Sequence, residues 1–170
     1  MTGLNLLPDS ARVWIYGAEQ ALSAEGVKAL NAHMDRFLAE WRSHGREIEP
    51  AWTLVHDQFL VIGVDETAMS LSGCSIDSMF RAVEDFGGIA GVTFSRSGNQ
   101  VFYRDPEGKV RCVDRIAFAG LARSGGVDAN TIVFDNTIPA VADLRSGRWE
   151  VPIRKSWHMK AFGRSLSPAG

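Results

Sequence analysis

The chain of 170 residues is 45% hydrophobic and 22% charged, and its 18 lysines and arginines against 20 aspartates and glutamates give a formal net charge of −2. This composition is typical of an ordinary globular protein with a substantial core, so it excludes a disordered chain, and the balanced charge argues against a nucleic-acid partner. No apolar run approaches the roughly 20 residues that span a bilayer, which excludes membrane insertion but not docking at a membrane surface.

The cysteines, the histidines and the first residues bear on location and on metal binding. Cys74 and Cys112 are the only cysteines, and the chain does not start with a basic stretch followed by a long apolar one. This pattern predicts a protein of the reducing cytoplasm. The cysteines and the four histidines form no CxxC or HxxxH pattern, so we predict no metal site and no cofactor.

The first predicted elements are a strand and a long helix. Arg12-Val13-Trp14-Ile15-Tyr16 is rich in β-branched and aromatic residues and is bounded by Pro8 and Gly17, as a strand should be. Ser23 then caps a helix that Gly45 ends. The apolar residues that recur at helical spacing are Val27, Leu30, Met34, Phe37, Leu38 and Trp41.

Two strands and a second helix follow. The runs 51–56 and 58–64 are separated by so little chain that they predict an antiparallel hairpin. The second run is apolar at nearly every position, which is typical of a central strand covered on both faces. Beyond it lies a helical stripe that Gly87-Gly88 ends. The apolar residues of this stripe are Ile76, Met79, Phe80 and Val83.

The second half of the chain contains shorter elements. Asp105-Pro106-Glu107-Gly108 is a turn-forming tetrapeptide that joins the two short strands on either side of it. Asp114 caps a short helix that Gly125-Gly126 ends, and Thr131-Ile132-Val133-Phe134 predicts one more strand. The apolar residues of the short helix are Ile116, Phe118 and Leu121.

The order of these elements predicts the fold class. It is α+β, roughly β-α-β-β-α-β-β-α-β, with a mixed or mainly antiparallel sheet packed by helices. The tail from Pro139 contains Trp149 and Trp157, and two tryptophans near the end predict a segment docked on the body of the protein. We expect one globular domain over residues 1–170, with 88–98 as the place where a subdivision would fall.

The leading candidate site is the segment Ser72-Gly73-Cys74-Ser75-Ile76-Asp77, between the apolar strand and the second helix. It places a thiol where a helix starts, and the first turn of a helix offers unpaired N–H groups and a positive dipole end. Both features favour a thiolate or a bound anion. The preceding strand also delivers Asp65 and Glu66 to the edge of the sheet.

The function that we favour is recognition without catalysis. The amides and hydroxyls of the segment would bind a small anionic ligand or a protein partner. A hard cation is the less favoured ligand, because the spacing of the carboxylates matches no calcium loop. A tryptophan in the tail would cover the pocket or a partner surface. The predicted ligand-binding residues are Asp65, Glu66, Ser72, Gly73, Cys74, Ser75, Asp77 and Trp157.

A cysteine-dependent enzyme is the first alternative. Cys74 would be the nucleophile, His44 or His158 would accept its proton, and Asp77 would orient the histidine. The second alternative is a structural subunit of a larger assembly. The sequence leaves the ligand and the oligomeric state open.

Each residue of the segment also has an ordinary structural interpretation, to which we give more weight than to the enzyme. Gly73 would form a tight turn, and Cys74 would pack as a small apolar group. Ser75 would cap the helix, and Asp77 would complement its dipole.

A series of motifs along the chain carries a family resemblance. The motifs are Arg12-Val13-Trp14-Ile15-Tyr16, Trp41-Arg42-Ser43-His44-Gly45, Phe59-Leu60-Val61 with Val64-Asp65-Glu66, Ser72-Gly73-Cys74-Ser75-Ile76-Asp77, Thr131-Ile132-Val133-Phe134-Asp135-Asn136, Trp149-Glu150-Val151-Pro152 and Ser156-Trp157-His158. In this order they resemble short bacterial proteins often labelled "ABC transporter ATPase". The resemblance covers nearly the whole chain, and by itself it implies no mechanism.

The family label implies ATP hydrolysis, which the residues do not support. An ATPase of that class needs Gly-x-x-x-x-Gly-Lys-Ser/Thr, so that loop amides and a lysine hold the phosphates. The chain contains no such run, and its lysines do not follow a glycine loop. We therefore predict no ABC-type ATP hydrolysis. The lysines are Lys28, Lys109, Lys155 and Lys160.

Overall fold

The structure is a computed structural model that describes residues 3–67, 70–95 and 99–166. These residues form five α-helices and ten strands, and all their strand pairings are antiparallel. The predicted α+β class is confirmed.

The chain divides into two compact units. The first falls within Met1–Arg96 and Pro139–Ala142, and the second within Ser97–Ile138 and Asp143–Gly170. That both units belong to one domain stays a prediction.

The first unit consists of a four-stranded sheet, a small hairpin and two long helices. The helices are α1 (Ala24–Glu40) and α2 (Gly73–Ala90). The strands are β1 (Arg12–Ala18), β2 (Arg42–Ser43), β3 (Arg46–Glu47), β4 (Pro50–Val55), β5 (Phe59–Val64) and β6 (Phe94–Ser95). A 3₁₀ turn, Leu4–Leu6, precedes β1.

The order of the strands in the sheet determines where the first turn of α2 lies. The strands β4, β5, β1 and β6 lie side by side in this order, and each pair is antiparallel. The helix α1 and the β2–β3 hairpin connect β1 to β4, and α2 connects β5 to β6, so each connection passes over one intervening strand. This is the split β-α-β arrangement of ferredoxin-like folds. The first turn of α2 therefore lies near the end of the sheet at which strand β5 finishes and strand β1 starts.

The core of the first unit lies between the sheet and the two long helices. All six residues of β5 are buried and β5 lies between β4 and β1, which confirms the predicted central strand. Burial of each large apolar side chain stabilises the fold by about 1.5–3 kcal/mol. The buried side chains of this core include Trp14, Tyr16, Leu30, Met34, Leu60, Ile62, Met79 and Val83.

The helix α1 begins where the sequence predicts and ends earlier. The Ser23 hydroxyl caps its start, as expected. It ends at Glu40, because Trp41 has an extended backbone with φ −70° and ψ 125°. Gly45, the predicted stop, lies in the β2–β3 turn with a φ of 75°. The prediction of this end was wrong because a glycine that belongs to a following turn resembles a helix stop in sequence.

The helix α2 ends later than predicted. It continues through Gly87-Gly88 to Ala90, and Gly91 caps it with a φ of 67°. Two glycines inside a helix weaken it by about 1 kcal/mol each but do not end it. The helix ends at the glycine that adopts the left-handed conformation.

The hairpin between β4 and β5 turns at two residues in the left-handed region. His56 has a φ of 55° and Asp57 a φ of 51°, and the Gln58 N–H donates to the Val55 carbonyl at 3.1 Å. Turns with two left-handed central residues favour Asn-Gly, because a side chain is strained at positive φ. The turn therefore holds strain that a glycine would relieve.

We expect Asp57→Gly to raise the free energy of unfolding by about 1 kcal/mol, because glycine adopts this φ without steric strain. The Asp57 carbonyl, which accepts the Leu22 N–H at 2.7 Å, is retained in the variant. Urea denaturation at neutral pH measures the change. Asp35→Gly, at an exposed helical position of α1, is the matched control and should lower stability. A loss of stability in both variants would contradict this account of the turn.

The second unit has its own four-stranded sheet. The strands are β7 (Gln100–Arg104), β8 (Val110–Asp114), β9 (Ile132–Phe134) and β10 (Glu150–Pro152). They lie in the order β10-β9-β7-β8. The helices are α3 (Arg115–Arg123), α4 (Val141–Arg145), which is assigned partly to each unit, and α5 (Trp157–Phe162). The 3₁₀ turns Ile153–Lys155 and Gly163–Ser165 flank α5.

The predicted hairpin, cap and tail of this unit are confirmed, with one correction. The tetrapeptide Asp105–Gly108 connects β7 to β8, and the Asp114 carboxylate accepts the Ala117 N–H at 2.7 Å. The predicted apolar face of α3 was wrong at Ile116, which is 82% exposed, because the helix packs through Phe118 instead.

The tail is docked, as predicted: its start, Pro139–Ala142, belongs to the first unit, and from Asp143 on it belongs to the second. Its strand β10 pairs with β9, with Val151 opposite Val133. Beyond β10, Ile153 and Phe162 belong to the same apolar cluster as Phe118. Strand pairing and apolar burial together hold this segment.

Candidate functional site

The first turn of α2 is fixed to β2 by hydrogen bonds. The Ser72 hydroxyl accepts the Ser75 N–H at 3.1 Å, and the Ser72 N–H donates to the Ser43 hydroxyl at 3.0 Å. The Ser75 hydroxyl donates to the Arg42 carbonyl at 2.9 Å. The Trp41 indole N–H donates to the Ser75 carbonyl at 2.9 Å. The residues that end α1 and form β2 thus hold the start of α2 in place.

Two backbone donors face solvent at this turn. Gly73 and Cys74 are exposed, and they are the first two residues of α2. Among the residues that the structure describes, no acceptor is bound to the N–H of either. Asp77 is also exposed. Unpaired N–H groups at the positive end of a helix can bind an anion.

The structural interpretation of this segment needs three corrections. The cap is Ser72 and not Ser75, whose hydroxyl instead donates to the carbonyl of Arg42. Cys74 does not pack as an apolar group, because it is exposed. Gly73 is the first helical residue and does not form a tight turn.

The carboxylates of Asp65 and Glu66 stabilise the loop that leads to α2. The Asp65 carboxylate accepts the Thr67 N–H at 3.0 Å, and the Glu66 carboxylate accepts the Leu71 N–H at 2.8 Å. Glu66 also lies 3.7 Å from the guanidinium of Arg12. In the described part of the chain, no three His, Cys, Asp or Glu side chains come close enough to hold a metal ion.

The two candidate bases lie in different surroundings. His44 is exposed in the β2–β3 turn, with a φ of 50°. His158 is buried in the second unit, in α5. Within residues 3–67, 70–95 and 99–166, no hydrogen bond or ion pair joins Cys74 to a histidine.

His158 lies at the start of α5 in an apolar environment. It is 1% exposed, its Nδ1 lies 2.9 Å from the Ser156 hydroxyl, and its ring stacks on Trp157 at 3.9 Å between centroids. Burial lowers the pKa of His158 from 6.5 to about 4, against an opposing effect of Asp135 and with a smaller contribution from Arg115. The imidazole is therefore neutral at physiological pH.

Trp157, predicted as a ligand-binding residue, anchors the tail to the second unit. Its indole N–H donates to the Asp135 carboxylate at 3.1 Å. Its ring stacks on the ring of His158, and the Arg115 guanidinium lies 5.4 Å from the centroid of the Trp157 ring. Trp157 thus contacts other residues of the second unit.

A shallow depression of about 400 Å³ in the second unit was not predicted from the sequence. The Asp128 carboxylate on its wall accepts the N–H groups of Asn130 and Thr131, each at 2.8 Å, which lowers the pKa of Asp128. Arg104 on the same wall binds Glu150. The polar groups of the wall bind one another, so we assign no ligand to it. Its one sequence signal is the Asp-x-Asn-Thr turn pattern.

Comparisons of the chain with protein-family models, with curated proteins and with solved structures give no match. No helix in the described residues is long and apolar enough to cross a bilayer. The first turn of α2 is where exposed donors, helix polarity and rigid support coincide.

Proposed function

We propose that the protein is a non-catalytic recognition module that binds a small anionic group at the first turn of α2. The observation that carries this proposal is the pair of unpaired N–H groups of two exposed residues, Gly73 and Cys74, at the start of an 18-residue helix. Such a pair, with the positive end of the helix dipole, favours a carboxylate or a phosphate group.

Rigid support of the turn favours binding. The hydrogen bonds of Ser72 and Ser75 to neighbouring groups hold the donors in position before a ligand arrives. Less conformational entropy is then lost when the ligand binds. The Ser72 hydroxyl is engaged in the cap, so the donors for the anion are backbone groups.

Two substitutions of Gly73 isolate one of these donors. Gly73→Pro removes the N–H at the first position of a helix, where proline is well tolerated. Ser72 has φ −73° and ψ 156°, the extended conformation that a residue before proline adopts. Gly73→Ala is the matched control, because it keeps the N–H and a Cβ at this position would have no atom within 4 Å.

We expect inorganic phosphate and acetate to shift the amide NMR signals of Gly73 and Cys74 in the unmodified protein. Gly73→Ala should bind with similar affinity, and Gly73→Pro should bind about 10- to 100-fold more weakly, since a hydrogen bond to a charged group contributes about 1.5–3 kcal/mol. Equal affinities of the two variants, or shifts confined to other residues, would refute the proposed site.

The cysteine-dependent enzyme is a second candidate, which one observation favours. Cys74 is exposed at the second residue of α2, and a helix start stabilises a thiolate. We expect Cys74→Ser to leave phosphate binding unchanged, because the proposed contacts are backbone N–H groups. A Cys74→Ser variant that binds phosphate as weakly as Gly73→Pro would show that the thiol itself takes part, which the enzyme requires and the backbone site does not.

We also propose a cytoplasmic location and membership in the bacterial family labelled "ABC transporter ATPase". The location is supported by two cysteines that are both free thiols, one of them exposed. The membership is supported by the motifs alone, and it carries no ATP hydrolysis here, because the chain has no phosphate-binding glycine loop.

A further inference from the structure

The charges of the chain are divided unequally between its two compact units. The first unit contains 7 lysines and arginines against 13 aspartates and glutamates, and the second contains 11 against 7. The formal charges of −6 and +4 together give the −2 of the whole chain. Because salt limits the reach of an exposed charge to about 8 Å at physiological ionic strength, the charge of a local surface decides what it attracts.

The excess of positive charge is concentrated near α5. Residues 151–166 contain four basic residues and no aspartate or glutamate. All four are exposed, and they lie on α5 and on the two 3₁₀ turns that flank it. We call these four residues the basic strip: Arg154, Lys155, Lys160 and Arg164.

Three of the four charges of the basic strip have no acidic partner within the described part of the chain. Lys155, Lys160 and Arg164 form no ion pair with any residue that the structure describes. Arg154 donates to the amide oxygen of Asn130 and lies close enough to the Asp128 carboxylate to lower the pKa of Asp128, so its charge is partly compensated. Three uncompensated cations and Arg154 on one short stretch of backbone raise the local potential.

The backbone that carries the basic strip is held by buried side chains. Ile153 and Phe162, at the two ends of this stretch, are 0% and 5% exposed in the core of the second unit. Between them, Trp157 binds the Asp135 carboxylate. The basic residues therefore keep their spacing.

We propose that the basic strip binds the phosphate backbone of a nucleic acid. Phosphates spaced along a polymer can contact several cations of the strip at once, and arginine pairs with phosphate in a bidentate manner. A lipid surface fits less well, because stable anchoring adds apolar contacts to charge. Met159, 41% exposed, is the one exposed large hydrophobic side chain in the described residues from 151 onward.

The test uses the full chain and fluorescence anisotropy with a labelled oligothymidine of about 20 nucleotides and a duplex of similar length. We expect the logarithm of the association constant for the single strand to fall with the logarithm of salt concentration, with a slope of about −0.7 per phosphate contact. Lys155→Gln with Lys160→Gln should make this slope shallower by about 1.4 and weaken binding by about tenfold at low salt.

The matched control is Lys28→Gln with Arg36→Gln, which removes two exposed positive charges from α1. This control should bind as the unmodified protein does. An equal loss in both double variants, or no binding of either oligonucleotide at about 50 mM salt, would overturn the proposal. Binding to phosphatidylserine vesicles without binding to oligonucleotides would overturn it in favour of a membrane surface. Gly73→Pro should leave oligonucleotide binding unchanged, so this test is independent of the anion site on α2.

Discussion

Lowering the pH from 7 to 4 should reduce the free energy of unfolding by about 3 kcal/mol through His158, because its pKa is about 4 in the folded protein and 6.5 as a free side chain. Between these values the unfolded chain binds more protons than the folded one, so acid favours unfolding. The stabilisation is fully present above pH 6.5 and is lost progressively as the pH falls towards 4. Urea denaturation at a series of pH values measures it.

The physical reason lies in the surroundings of the imidazole. A charged His158 would be buried beside the rings of Phe118 and Phe162, whose centroids lie 6.4 and 6.3 Å away, and the Arg115 cation would oppose it. The Asp135 carboxylate favours the charged form but does not outweigh burial.

His158→Phe is the variant that removes this titration, and His158→Gln serves if the phenylalanine variant does not fold. Either should flatten the dependence of stability on pH between 6.5 and 4. The lowered pKa of Asp128 affects stability outside this pH range. A carboxylate with a lowered pKa loses its stabilising effect only when the pH falls below its ordinary pKa of 3.8. The same pH dependence in the variant and in the unmodified protein would contradict the role of His158.

Gly87→Ala should lower the free energy of unfolding by about 2 kcal/mol or more, whereas Gly88→Ala should raise it by about 0.5–1 kcal/mol. A Cβ at Gly87 would lie 2.7 Å from the Val92 carbonyl oxygen, a contact closer than side chains tolerate. The Val92 N–H donates to the Gly87 carbonyl at 3.0 Å, so the chain after α2 cannot easily move away. No atom lies within 4 Å of a Cβ at Gly88.

The two alanine variants control for each other, because both replace a glycine of the same helix. Thermal or urea denaturation at neutral pH should rank Gly88→Ala above the unmodified protein and Gly87→Ala below it. If both substitutions stabilise the protein, the close approach of Val92 to α2 does not exist in solution. If both destabilise it, α2 does not extend through these residues.

Local signals in the sequence predict the elements of this fold better than their ends. Ser23 and Asp114 cap helices as expected, because a cap depends on residues within one turn. The ends of α1 and α2 depend on contacts distant in sequence. Trp41 leaves the helix and bonds to the Ser75 carbonyl, and Gly87 lets the helix pass close to Val92.

The sequence predicted where the candidate site lies but not how its side chains are arranged. The run from Ser72 to Asp77 does start a helix, because an apolar stripe follows it. Its cap and its exposed thiol were assigned wrongly, since the role of Ser75 depends on Arg42, which is 33 residues away. No pattern of neighbouring residues in the sequence indicates that contact.

The sequence by itself determined the α+β class, the central strand β5, the two hairpins and a helix that starts within residues 72–77, because these follow from short-range periodicity, caps and turn residues. The tertiary structure decided which groups are free. It pairs Asp65 and Glu66 with backbone N–H groups and buries His158, while it leaves Gly73, Cys74 and the basic strip exposed. Burial and pairing depend on contacts between residues that are distant along the chain. The net charge of −2 likewise does not reveal that the two compact units of the chain carry opposite charges.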